Sequence, residues 1–240
     1  LLDSQDRTVS VLGGIPAGSA GEPWQNVTKD ASEAIERCYL ASSFTKTQLH
    51  GRRSDFASRT VGFGYGNGRL KLQNFCVSGI ANQTAVQTLL QERSIRRICG
   101  FQSSLFNGFN HKNYQECRQM IEQICERQPE LQTNFEHTPF AALTANLGPR
   151  SWSPPHMDTD NSASCWCADT ALGNFDPDKG GQLLLWDLGL AICFPAGATI
   201  LFPSALITHS TLPVEAHETC YALLQYTSGS LFCWRDNGFQ

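Results

Sequence analysis

The chain has 240 residues, 41% of them hydrophobic, which is enough to bury a sizeable core in one large domain or two small ones. It carries 18 basic against 22 acidic residues, a formal net charge of −4, and its basic doublets are only Arg52-Arg53 and Arg96-Arg97, so nucleic acid is a poor first guess for a partner. No apolar run approaches the roughly 20 residues that span a bilayer, and the opening LLDSQDRT lacks the basic start and apolar stretch of a signal peptide, so a cytoplasmic protein is expected, with secretion open if the start is a processed one.

Helices dominate the first half. KDASEAIERCYLA, 29–41, places Ala31, Ala34, Ile35, Cys38 and Tyr39 on one face behind a cap at Thr28 or Asp30. VGFGYGNGRLKLQNF, 61–75, sets Asn67-Gly68 between two short apolar runs, the signal of a tight hairpin. The pattern predicts a second helix from Asn82 to about residue 99, ended by Gly100, and a third over 112–127, stopped by Pro129.

From Phe140 onward short apolar runs alternate with Gly, Pro and Asp, the rhythm of an antiparallel sandwich or barrel. The predicted strands are 140–147, 164–172, 181–188, 190–195, 198–204 and 219–228. Helices followed by a closed β unit imply one α+β domain over 1–240, in which 1–139 supply helices and a hairpin that buttress a β core at 140–240.

The ten cysteines form no CxxC, so they read mainly as buried free thiols; Cys165 and Cys167, on one face of a strand, read as packing residues. Two sequons, at Asn26 and Asn82, carry little weight without evidence of export.

SPPHMDTDN, 153–161, is the stretch richest in chemistry. Side chains at i and i+2 of a strand share a face, so His156 and Asp158 can converge on one metal ion. A facial non-haem iron site needs a second imidazole, and His209, at the end of the apolar run ATILFPSALIT, fits that place. His217 is a weaker candidate, and His50, His111 and His137 read as surface or capping residues. An HxD, about four strands and a lone distal His make the layout of a double-stranded β-helix, the jelly roll shared by iron oxygenases and cupins.

GGQLLLWDLGLAICFPAGATILFPSALITHSTLPV, 180–214, followed by QYTSGSLFCWRDNGF, 225–239, resembles fungal members of the TET/JBP-like branch of the 2-oxoglutarate and Fe(II)-dependent oxygenases. The resemblance covers about 150–240 and implies a jelly-roll core with metal ligands His156, Asp158 and His209. It also implies an Arg-Tyr-Ser on the strand after the distal histidine, whose arginine grips the far carboxylate of 2-oxoglutarate. This chain reads Cys220-Tyr221-Ala222 there, and neither a thiol nor a methyl can pair a buried carboxylate. Binding of 2-oxoglutarate is therefore in doubt, unless Arg150, Lys179 or Arg235 reaches in from another direction.

Two functions follow. In one, iron held by the triad serves an oxygenase that hydroxylates a small molecule or modified base. In the other, the metal persists in a binding protein and the altered pocket at Cys220, Tyr221 and Ala222, with Trp166 and Trp186, holds a flat aromatic ligand or chromophore. Pink mushroom chromoproteins, on an oxygenase-like fold, are similar in this respect. Iron is the family expectation for the metal, with magnesium, manganese, calcium or zinc as alternatives in an oxygen and nitrogen site. An exposed β edge or C-terminal segment could support a homodimer.

Overall fold

The computed structural model describes residues 1–16, 22–50, 55–66 and 68–239. Among these, the strands form two antiparallel sheets that face each other as a double-stranded β-helix, with helices packed on the outside of the larger one. The larger sheet has the order β1 (Val11–Gly14), β9 (Thr199–Phe202), β6 (Cys167–Asn174), β11 (Thr219–Tyr226), β4 (Ala142–Gly148), β2 (Ala57–Gly66), β3 (Arg69–Asn74). The smaller has β5 (Ser153–His156), β10 (His209–Thr211), β7 (Leu183–Leu185) and β8 (Leu190–Ile192).

Alternation along each strand divides the residues between two cores. On one side, Leu143, Ala145 and Leu147 of β4, Leu172 of β6 and Tyr221 and Leu223 of β11 pack against the helices α1 (Trp24–Leu40), α3 (Ile80–Gln91) and α4 (Arg93–Phe109). On the other, Ala171 of β6 and Ile200 and Phe202 of β9 meet Leu183 and Leu185 of β7 between the sheets. The helix-facing core also holds a polar network. Gln102 Nε2 donates to Thr170 Oγ1 at 2.9 Å and to the Leu223 carbonyl at 2.8 Å, while Gln225 Nε2 donates to Gln102 Oε1 at 2.8 Å.

Several boundaries differ from expectation. Helix α1 starts at Trp24, ahead of Thr28, because the Trp24 indole is buried and donates to the Gly197 carbonyl at 3.0 Å, which fixes the first turn against the sheet. The single helix expected over 82–99 is two, broken at Glu92, whose ψ of 129° is extended. Gly100 does not end the second; it lies within α4, where an exposed glycine costs only about 1 kcal/mol. The predicted third helix is α5 (His111–Arg127) and the hairpin is β2–β3, although Asn67 of its turn lies outside the described residues. A four-residue helix, α2 (Lys46–Leu49), precedes β2. The segment after 228, expected to be exposed, forms α6 (Gly229–Asp236), with Leu231 and Trp234 buried against Phe63, Met120 and Ile121. Cys165 is not a free packing residue either, since it forms a disulfide with Cys117 of α5. The other cysteines are free.

Candidate metal centre

The smaller sheet brings the two histidines together. His209 of β10 lies directly opposite His156 of β5 in the antiparallel register, with ring centroids 4.3 Å apart. The backbone amide of Asp158, just past the end of β5, donates to the Ser204 carbonyl at 2.9 Å, and a turn to Asn161 holds the segment in place. From there the carboxylate reaches both rings: His156 Nε2 is 3.6 Å from Oδ1 and His209 Nε2 is 3.9 Å from Oδ2. One ligand atom from each of the three residues lies within 4.8 Å of the others.

The far side of each ring explains why these nitrogens converge. His156 Nδ1 is 2.9 Å from the Pro154 carbonyl and His209 Nδ1 is 2.8 Å from the Ile207 carbonyl. A carbonyl only accepts, so each Nδ1 carries the hydrogen and Nε2 is the ring nitrogen left facing the shared centre. Two neutral imidazoles and one carboxylate, fixed by backbone contacts behind them, are a donor set that fits a divalent metal of the non-haem iron type. Phe202 closes one side, its ring centroid 4.9 Å from that of His209. The remaining histidines lie elsewhere. His50, His111, His137 and His217 are all exposed.

The triad sits in a cavity of about 490 Å³ between the sheets, a size suited to a small molecule. Cys220 and Ala222 of β11 line it, as their alternation requires, together with Asp169 and Ala171 of β6 and Thr144 and Asn146 of β4. Tyr221 borders the cavity, but its side chain belongs to the helix-facing core, and its ring occupies the space that a Cβ on Gly148 would need. Burial pushes the Cys220 thiol up to about 12, so it is a neutral, weakly polar wall.

Two predicted lining residues are elsewhere. Trp166 precedes Cys167 by one residue and so points to the opposite face, where it stacks on Phe106 with centroids 5.9 Å apart. Trp186 follows the inward Leu185, lies half exposed in a 3-10 turn and donates from its indole to Ser210 Oγ at 2.9 Å. In both cases the period of two decides the side, and an aromatic-rich sequence does not by itself reveal which side is the pocket.

Nor do the three proposed substitute cations enter. Arg150 donates to the Ala216 carbonyl at 2.9 Å, Lys179 pairs with Asp176 at 3.1 Å and Arg235 pairs with Asp236 at 2.7 Å. Among the described lining residues the lysine and arginine complement is Arg69, at the β2–β3 hairpin, with its guanidinium 4.6 Å from the centre of the Phe75 ring.

Asp169 is the lining residue that the sequence reading missed. Its Oδ1 is buried and has no hydrogen-bond partner among the described residues. Burial, then the Asp158 charge, raise its carboxyl from 3.8 to about 7, against a smaller opposing pull from the Thr170 amide. The available signal was a single acidic residue in the middle of the apolar run SCWCADTAL, on the same strand face as Cys167.

No protein-family model matches the chain, and no curated protein does. Solved structures similar to the chain include NgTET1 and a member of the 2OG-Fe(II) oxygenase family. The chain is similar to NgTET1, solved in complex with 5mC DNA, at a TM-score of 0.64 and 13% identity, over 94% of this chain and 74% of that one. OsALKBH1 matches at a TM-score of 0.47 and 12% identity, over 92% of this chain and 98% of its own. A 2OG-Fe(II) oxygenase family oxidoreductase from Burkholderia pseudomallei matches at 0.40 and 15%, over 88% and 92%. The likeness to NgTET1 concerns the fold alone. In the described residues, no helix is long and apolar enough to cross a membrane.

Proposed function

We propose that this protein binds a divalent metal through His156, Asp158 and His209 and uses it to hold a small chelating ligand other than 2-oxoglutarate. It would thus be a pigment- or ligand-carrying member of the fungal TET/JBP-like branch, in the manner of pink mushroom chromoproteins. The observation that carries this reading is the cavity wall at β11. Cys220 and Ala222 face inward at the place where the resemblance puts the co-substrate's anchor, and a dicarboxylate there would meet a thiol, a methyl and the nearby Asp169. When bound, the metal supplies coordination sites for oxygen or nitrogen donors of the ligand. The Nδ1 contacts to Pro154 and Ile207 fix the two rings that would hold it.

The visible absorption spectrum of purified protein tests this. A band that survives dialysis and disappears on removal of the metal supports a retained chelating chromophore. A colourless protein that converts 2-oxoglutarate to succinate in the presence of Fe(II) and oxygen contradicts it.

A second reading, an Fe(II)-dependent oxygenase acting on a small molecule or modified base, is favoured by one observation: Arg69 lines the cavity and offers a cation from the hairpin. Under that reading Arg69→Gln abolishes succinate formation. The neighbour solved with 5mC DNA suggests a base as substrate, but the net charge of −4 makes a long polyanion a poor partner.

A further inference from the structure

The cavity contains a charge arrangement that the metal does not use. Asp169 lies outside the three-residue cluster, yet it lines the same space. It sits on β6 opposite Leu224 of β11 and Ile200 of β9, so its two cross-strand neighbours are apolar. Farther along the sheet, on β2 and β4, Thr60 and Thr144 face the same cavity and bond to each other, at 2.8 Å. A buried carboxyl oxygen without a donor is costly, and beyond the small pull of the Thr170 amide on the carboxyl, Oδ1 has no partner among the described residues. Asp160 lines the cavity as well, a second carboxylate outside the metal cluster.

Resting on the metal-chelate reading above, we infer that the ligand is bipolar. One end has oxygen or nitrogen donors for the metal, and a second end has a protonated or N–H-bearing nitrogen that donates to Asp169. This reverses the polarity that the fold's dicarboxylate co-substrate would require. An ammonium or N–H group satisfies Asp169 Oδ1 in its charged form, whereas a carboxylate in that position meets a like charge once Asp169 has lost its proton.

Three hydroxamates of matched length separate the two ends: β-alanine hydroxamate with an amine tail, succinic semihydroxamate with a carboxylate tail, and neutral butyrohydroxamate. Each is titrated by calorimetry at about pH 8, where Asp169 is ionised, into full-length protein loaded with Mn(II), its metal content checked beforehand. The expected result is binding of the amine-tailed compound about tenfold tighter than the carboxylate-tailed one, because like charges brought together in a pocket are strongly disfavoured. In Asp169→Asn, close in shape to the native residue, that preference falls to about twofold or less while butyrohydroxamate affinity is retained. Equal affinities, or a carboxylate preference, in the native protein overturn the inference without any variant. So does a preference that survives in Asp169→Asn. If the protein takes up no Mn(II), or none of the three compounds binds the loaded protein, the metal-chelate reading itself fails.

Discussion

The two faces of the larger sheet use the same strands for opposite purposes. On the helix side, Gln102, Thr170, Thr199 and Gln225 form a closed network of paired polar groups that pins α4 across β6, β9 and β11. On the cavity side, one residue along from Thr170, Asp169 is buried without a partner for Oδ1. A single step along β6 thus separates a polar group that holds the fold together from one that awaits something else. Paired buried polar groups mark structural cement, and unpaired ones next to a cavity mark recognition.

Substitutions on the two faces should therefore separate stability from binding. The largest effect belongs to the triad: His209→Ala removes one of three ligands and should abolish stoichiometric metal, read by elemental analysis after desalting. A variant that keeps full metal content would refute the assignment. Next comes Gln102→Ala, which leaves a void in the helix-side core and removes a donor from Thr170 and the Leu223 carbonyl and an acceptor from Gln225. It should cost about 2–3 kcal/mol in urea unfolding while metal content stays unchanged. Loss of metal in that variant would mean that the two faces are not independent.

Asp169→Asn should have a smaller effect of opposite sign. Because the folded-state carboxyl titrates near 7 rather than 3.8, the folded protein keeps a proton that the unfolded chain has released. Stability of the metal-free protein should therefore fall as pH rises from about 4 to about 7, and the variant should flatten that decline. An unaltered pH profile would show that Asp169 is solvated. The smallest effect is expected for Trp186→Phe, which loses the hydrogen bond to Ser210 at a half-exposed site. Its cost should stay near or below about 1 kcal/mol, with metal and ligand binding retained.

The same comparison explains what could be read from the sequence. Apolar runs marked most strands of the second half, and the His-x-Asp pair with a distal histidine marked three side chains that the structure does bring together, because strand alternation is local and strict. Short strands such as β5, with two prolines, and β10, with three residues, were legible only through the pairing that joins them. Which face of β11 would be cavity was not local information: Tyr221 looked like a pocket residue and lies with the helices, while Cys220 and Ala222 lie inside. The break at Glu92 and the early start at Trp24 depend on contacts with distant residues, and so does the disulfide that joins Cys117 to Cys165. Asp169 went unnoticed because its meaning lies in a partner for Oδ1 that the described residues do not supply.

The central claim is that this metal site serves a ligand other than 2-oxoglutarate. Calorimetric titration of 2-oxoglutarate into anaerobic, Fe(II)-loaded protein tests it most directly. The arrangement of Cys220, Ala222 and Asp169 predicts no saturable binding up to about millimolar concentration, the weak end of the affinity scale. Saturable binding at micromolar concentration would contradict it.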